Sequence, residues 1–492
     1  MIVGGAGGRE MEKILNITSE CVPFIKTGGL ADVVGTLPNY CDHNRYDIRV
    51  VLPFYSCIGI EYKEKVTDIC SFYIEFAGRT QYVGIKTLIY NEIQYYFIDN
   101  ENYFNVAKPY SQMSADLEKF CFFSKAALLF LEKIEFKPSI IQCHDWESSV
   151  VPVYLNQLKA TQPFYKDMKT IMTIHNLCYQ GTGQFDWVRG AVGLSREQLP
   201  DEHLASRGGG SILKAGIIYA DYITTVSQAY AREIQTPEYG EGLDGIIEGK
   251  KDRLFGILNG IDYQEYNPAT DTNIYKNFDV NSVRELKREN KFCLQSELHM
   301  PVGDDYFMIG VISRLTDQKG LDLINSVLED LCHEKIQLVV LGTGDYEYER
   351  LLEDYERRYH DNVSASLFYS DERAHKIYAS CDALLMPSRF EPCGLCQLMA
   401  LRYGTVPIVR ETGGLKETVV PYDNIAQTGN GFSFTNFNAY DMLNVIRYAK
   451  HVFQYEKDHW YQIIQRGMNQ DFSWNESARK YQNLYDTILQ YK

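Results

Sequence analysis

No run of apolar residues in this chain is long enough to span a bilayer, and the amino terminus lacks the basic-then-apolar layout of a secretory signal. The expectation is a cytoplasmic protein that does not enter a membrane. Basic charge is scarce as well: 49 Lys+Arg stand against 65 Asp+Glu, a formal net charge of -16. Nucleic acid is thereby excluded as a main partner, because a phosphate backbone needs a basic face, whereas a neutral polymer is not repelled. Cysteine pairing is missing too. The 12 cysteines are scattered, some inside apolar runs (Cys121, Cys381), the pattern of reduced thiols in a cytosolic protein. Cys393-Gly394-Leu395-Cys396 is the one CxxC. Zinc needs a second pair and a redox pair needs thioredoxin-like surroundings, so these thiols are read as loop and helix packing, and no metal is expected. Gly4-Gly5-Ala6-Gly7-Gly8 precedes the first strand instead of following one, so it is no dinucleotide fingerprint. Residues 1–10 are expected to be a flexible leader or cloning remnant, with Met11 as the natural start.

What the chain does contain is bulk. At 492 residues it is too long for one ordinary core, and ~150 residues per domain implies two or three. Hydrophobic residues make up 45% and charged residues 23%, a globular composition. With 37 tyrosines and 24 phenylalanines the chain could stack on sugar rings, although such side chains serve equally as core.

Short apolar runs alternate with helical periodicity, and each run delivers polar residues at its carboxyl end. The strand Ile14–Thr18 leads into Ser19–Leu30 and a helix stopping near Pro38. Strands are expected at Asp47–Leu52, near Cys70–Phe76 and Tyr95–Ile98, and at Ser139–Cys143, after a core helix Asp116–Lys133. His144-Asp145-Trp146 and His175-Asn176-Leu177 follow strands at the same sheet edge, and Ser227 follows a third. A fresh series begins after the polar run to Asn281: strands Tyr306–Ile312 and Ile336–Leu341, then Ala383–Met386 and Thr405–Val409. This alternation is the doubly wound α/β pattern, occurring twice.

The candidate chemistry sits in the loops of that edge. Lys26-Thr27-Gly28-Gly29-Leu30 and Thr412-Gly413-Gly414-Leu415 each open a helix, where free amides can hold a phosphate and Lys26 adds a full charge. Arg314 and Lys319 bracket a third loop; a fork-shaped guanidinium and a point charge could share a diphosphate, or form an ordinary solvated surface. Glu391 emerges after Ala383–Met386, as a carboxylate facing a polar ligand or as a solvated turn residue. His144 and His175 taken singly read as satisfied structural histidines.

Lys26-Thr27-Gly28-Gly29-Leu30-Ala31-Asp32, Thr173-Ile174-His175-Asn176-Leu177 and Ser388-Arg389-Phe390-Glu391-Pro392-Cys393-Gly394-Leu395, in order and at similar spacing, closely resemble the bacterial glycogen synthase and plant starch synthase family. The resemblance runs from about Met11 to the end. It implies the glycosyltransferase B fold: two doubly wound Rossmann-like domains facing across a cleft, at 11–262 and 263–472, with a carboxyl-terminal helix, 473–492, crossing back to the first. It also implies retaining transfer of glucose from ADP-glucose to the non-reducing end of an α-1,4-glucan, without metal or other cofactor. Arg314 and Lys319 match the cationic pair on the donor diphosphate and Glu391 the essential glutamate at the transferred glucose. His175 matches a histidine near the sugar's 6-hydroxyl, and Asp145 an acceptor-side carboxylate. Lys26, Gly28, Gly29 and Asp32 match the first donor loop, Thr412, Gly413, Gly414 and Leu415 the second. Asn176, Asn259, Tyr369, Cys393, Gly394 and Leu395 occupy substrate-lining positions, Tyr369 near the base.

The segment Gly181–Gly210 is weakly matched, ending in Gly208-Gly209-Gly210, and leaves the acceptor side open. Three other readings compete. A glucan-binding protein that keeps only the fold would lose Glu391, Arg314 or Lys319, and all three are present. A glucan phosphorylase would need a pyridoxal-phosphate lysine site that is not identifiable. A retaining transferase acting on sucrose, trehalose or lipid acceptors shares the fold, but the acidic chain has no basic amphipathic face for a membrane.

Overall fold

The computed structural model describes residues 11–490, so the leader expected at 1–10 lies outside the described residues. They form two compact units: unit 1 runs through Val226 and takes in Ala231–Ile257 and the chain from Trp474, and unit 2 comprises Ser227–Tyr230 and Leu258–Ser473.

Unit 1 is built on nine strands, β1 (Glu12–Ile17), β2 (Tyr46–Pro53), β3 (Thr67–Phe76), β4 (Arg79–Tyr90), β5 (Ile93–Asp99), β6 (Ile140–His144), β7 (Lys169–Ile174), β11 (Tyr222–Thr225) and β12 (Leu254–Gly256), in the order β12-β11-β7-β6-β1-β2-β5-β4-β3. Three short strands, β8 (Thr182–Gly183), β9 (Ala205–Ser206) and β10 (Gly209–Ser211), pair in a separate small sheet formed by the weakly matched segment. Strands from β12 through β5 run parallel, and the central pair, β6 and β7, is buried almost throughout, as a sheet covered on both faces requires. The edge is antiparallel: β3, β4 and β5 are joined by two-residue turns at Ala77-Gly78 and Asn91-Glu92, all four with positive φ. Here the expected pair of edge strands is completed by β4, a third strand.

The helix Trp474–Gln490 belongs to this unit. Trp474, Ala478, Tyr481, Tyr485 and Ile488 recur at the helical period on one face and pack with Ile14, Val33, Leu37, Ile48 and Ile140 in one buried cluster. Tyr485 donates its hydroxyl to Gln142 Oε1 at 2.7 Å, satisfying a polar side chain in the middle of the sheet.

Unit 2 carries six parallel strands, β13 (Phe307–Ile312), β14 (Ile336–Leu341), β15 (Val363–Ser366), β16 (Ala383–Met386), β17 (Val406–Arg410) and β18 (Phe432–Phe434), in the order β15-β14-β13-β16-β17-β18. Counted from its own first strand this is 3-2-1-4-5-6, the doubly wound order that reverses between first and fourth strands. Helix Leu321–Cys332 shows how the sheet is covered: Leu321, Ile324, Val327, Leu328 and Leu331 all face inward and are buried with Ile309, Val311, Leu338 and Val340.

Candidate active site

In unit 2 the strand order reverses between the parallel neighbours β13 and β16, and ligands bind such sheets at the carboxyl ends of those strands. Two loops emerge there, Ser313–Gly320 after β13 and the segment from Pro387 after β16. They are fastened backbone to backbone: Arg389 N–H donates to the Gln318 carbonyl at 2.9 Å. Gly320 has a φ of 77°, and a Cβ on it would lie 2.3 Å from the Pro387 carbonyl oxygen, so only glycine allows the loops to pass this closely. The result joins two residues far apart in the chain. Lys319 Nζ donates to Glu391 Oε2 at 2.6 Å, and Ser388 Oγ donates to the same oxygen at 3.0 Å. Glu391 is buried, Lys319 half-buried. Arg314 lies exposed on the same loop, Nη2 3.5 Å from Gln318 Oε1.

In the second Gly-Gly-Leu loop two of the amides expected to be free are already bonded. Gly414 N–H is taken by the carbonyls of Glu391 and Pro392 at 3.1 and 3.2 Å, and Leu415 N–H by Thr412 at 3.1 Å, so these two amides are not free donors for a phosphate. A Cβ on Gly413 would sit 2.0 Å from the Glu391 carbonyl oxygen and one on Gly414 1.9 Å from that of Cys393. The glycines make room for the chain that carries Glu391, and of the expected anion cradle the Gly414 and Leu415 amides are spent on backbone carbonyls. Thr412 and Leu415 are fully buried.

The remaining unit 2 candidates scatter around this centre. Asn259 N–H points at Cys393, whose thiol burial pushes up to about 12. The Asn259 side chain is buried with no hydrogen-bond partner for Oδ1 among the described residues. Gly394, at φ 72°, turns the chain into Leu395 and the helix Cys396–Arg402. Tyr369 stands apart beyond β15, exposed, its hydroxyl on Asp371 at 2.6 Å. Sequence reasoning missed Ser388 and Arg410. Arg410 Nη1 donates to the Arg389 carbonyl at 2.5 Å and its guanidinium lies over Phe437, bracing the same loop. The available signal was a lone cation ending a buried strand.

In unit 1 the corresponding edge lies at the ends of β1, β6 and β7. The loop after β1 was expected to offer free amides before the helix Gly29–Thr36. Instead the chain's own Glu20 accepts from the N–H groups of Thr27 and Gly28. Burial raises the Glu20 carboxyl above its ordinary range, and those N–H groups hold it back. Lys26 pairs with Asp32 at 2.8 Å.

After β6 and β7 the structure brings Asp145, His175 and Asn176 together. Asp145 has a φ of 53°, uncommon for a non-glycine residue, and its Oδ1 accepts from the His175 and Asn176 N–H groups at 2.6 and 3.4 Å. Burial pushes the Asp145 carboxyl up to about 7. Glu147 is raised well above its usual range by burial and by Asp145, and its Oε2 is buried with no hydrogen-bond partner among the described residues. His144 is fully buried, 3.0 Å from both Asn16 Oδ1 and His175 Nε2. Burial carries His175 down to about 3, and it holds His144 well below the usual histidine range. Among the described residues no three His, Cys, Asp or Glu side chains are grouped so as to hold a metal ion, and no helix is long and apolar enough to cross a membrane.

Residues 13–249 match the family model of the starch synthase catalytic domain, and residues 300–454 that of glycosyl transferases group 1. A glycogen synthase of Lachnospira eligens is 53% identical over 97% of this chain and 100% of its own length. Another, from Desulforamulus reducens, is 46% identical over 97% and 99%. Among solved structures, the catalytic domain of starch synthase IV from Arabidopsis thaliana, bound to ADP and acarbose, superposes with a TM-score of 0.89 at 31% identity, covering 98% of this chain and all of that one. A sucrose-phosphate synthase from Thermosynechococcus elongatus, at 16% identity and a TM-score of 0.61, shares the fold. With two doubly wound units and full-length relatives of one kind, the chain belongs to the glycogen and starch synthase family of retaining glycosyltransferases.

Proposed function

We propose that the protein transfers glucose from ADP-glucose to the non-reducing end of an α-1,4-glucan, without a metal ion, in the cytoplasm. The observation that carries this reading is the Lys319–Glu391 pair at the switch point of the unit 2 sheet, with Arg314 on the same loop. One N–H of the Lys319 ammonium is spent on Glu391, which leaves two for a diphosphate oxygen beside the Arg314 fork. These cations stabilise the negative charge that grows on the leaving diphosphate, work that a metal does elsewhere. Glu391, held in place by Ser388 and Lys319, faces the positive charge that develops on the sugar. Thr412, Gly413, Gly414 and Leu415 form the second donor loop, shaped around the chain that carries Glu391; Asn259, Cys393, Gly394 and Leu395 line the donor, with Tyr369 near the base.

In unit 1, His175 is assigned to the transferred sugar and Asp145 with Asn176 to the acceptor. Lys26, Gly28, Gly29 and Asp32 form the first donor loop. With Glu20 already on the Thr27 and Gly28 amides, positive charge there comes from Lys26. The choice of ADP-glucose is supported by the relatives and by the structural neighbour that binds ADP. The twelve unpaired thiols suit a reducing compartment.

Transfer of radiolabel from ADP-glucose and from UDP-glucose to glycogen, with a chelator present, tests the reading. Label is expected in glycogen from ADP-glucose at an undiminished rate. Dependence on added magnesium, or transfer from UDP-glucose alone, would overturn that part of it.

A further inference from the structure

Asn16 of β1, His144 at the end of β6 and His175 just past β7 step diagonally across three adjacent strands: Asn16 is level with Gln142, two residues before His144, and His144 is level with Thr173, two residues before His175. Asn16 Oδ1 lies 3.0 Å from His144 Nε2, and His144 Nδ1 lies 3.0 Å from His175 Nε2. Asn16 and His144 are wholly buried, His175 partly exposed. With the Asn16 amide turned so that Oδ1 meets His144 and Nδ2 is buried without a hydrogen-bond partner among the described residues, the oxygen can only accept, which places the His144 proton on Nε2. Burial keeps His144 neutral, so its Nδ1 is a bare lone pair, and His175 must donate to it through Nε2. His175 is also neutral, so its single proton is committed to His144. Its backbone is held by the Asp145 carboxylate at 2.6 Å.

We infer that Asn16 and His144 are positioning residues that fix His175 as the Nε2–H tautomer, so that Nδ1 offers a lone pair and selects a hydroxyl that donates to it. The inference rests on the proposed role of His175 at the transferred sugar and adds what that residue can recognise. An acceptor nitrogen receives a sugar hydroxyl and repels a carboxylate, so a glucose unit fits and a uronic acid does not. It has no proton to give, so His175 takes no part as a general acid.

The test reads ring-nitrogen protonation directly, in full-length protein labelled with [15N]histidine, with resonances assigned through His144→Gln and His175→Gln variants. At neutral pH His175 is expected to show a protonated Nε2 and a bare Nδ1, and His144 the same. A protonated Nδ1 on His175 would mean that the Asn16 amide is turned the other way, and would overturn the inference. Asn16→Leu removes the acceptor; it should let His175 populate both tautomers and lower turnover about tenfold, the scale of one hydrogen bond. Asn16→Asp keeps an acceptor and should keep the tautomer and recover turnover relative to the leucine variant. An unchanged tautomer in Asn16→Leu would overturn the relay. The spectra do not depend on catalysis, so a protein that transfers no glucose but shows the expected tautomers would sink the proposed function alone, and the converse result would sink the relay alone.

Discussion

Lys319 Nζ and Glu391 Oε2 stand 2.6 Å apart, the ammonium of one loop on the carboxylate of the next. Two candidate catalytic charges thus position each other before either meets a substrate, and neither can be removed without freeing its partner.

Lys319→Ala is therefore expected to lower turnover about 100-fold, the scale of one lost transition-state donor, while donor affinity changes much less. Glu391→Ala should behave likewise. Turnover and ADP-glucose affinity measured for both variants decide it. Near-native turnover in either would remove that residue from the catalytic set and favour a glucan-binding protein that keeps only the fold.

Gly414→Ala tests the loop that carries Glu391 without touching its carboxylate. The added methyl would lie 1.9 Å from the Cys393 carbonyl oxygen, so the backbone of the Glu391 loop must move. Overpacking of this kind costs about 1–3 kcal/mol, and a displaced Glu391 lowers turnover beyond what the lost stability explains. Thermal unfolding and turnover are measured together; a stable variant with full turnover contradicts the assignment.

Asp145 has a folded-state pKa raised to about 7. Its contribution to stability is favourable below the unfolded-state value of about 4 and is lost as pH rises through 7, because the folded protein must then ionise a buried carboxyl. Asp145→Asn keeps the Oδ1 acceptor for the His175 N–H and removes the charge. Its Tm should exceed that of the unaltered protein above pH 7, and the two should converge toward pH 4. The depressed values of His144 and His175 act in the opposite direction but are common to both proteins, and Glu147, raised in part by Asp145, moves the same way as Asp145. Parallel curves of Tm against pH from 4 to 9 would refute the shift.

Trp474→Ala removes a large side chain, 2% exposed, from the cluster between the last described helix and the unit 1 sheet. A loss of about 3–5 kcal/mol is expected in denaturant unfolding. A change confined to the scale of a surface substitution would mean that this helix is not part of the unit 1 core.

Local pattern was enough for much of the fold. Ala383–Met386 and Ile336–Leu341 are strands with the bounds read from their apolar runs, and the doubly wound alternation appears in both units. The antiparallel edge was only partly legible, because Asn91-Glu92 turns with two positive φ angles while lacking the glycine that marks such turns. In the candidate site, sequence could name loops but not their occupants. Glu20 fills the first helix start from seven residues before Thr27, and Gly414 gives its amide to Glu391 across two loops. The His144–His175 contact and the bracing of Arg389 by Arg410 likewise depend on which strands lie side by side. Periodicity along a chain carries no information about such pairings.

Trp474 and Tyr485 seal the core of unit 1, yet all of Leu258–Ser473 is synthesised before them. On the ribosome, unit 2 has every one of its strands available while unit 1 still exposes the apolar floor formed by Ile14, Val33 and Ile140. The early part of the chain thus waits, sticky and incomplete, for the helix that begins at Trp474, and a nascent chain halted short of it is a natural client for chaperones and proteases.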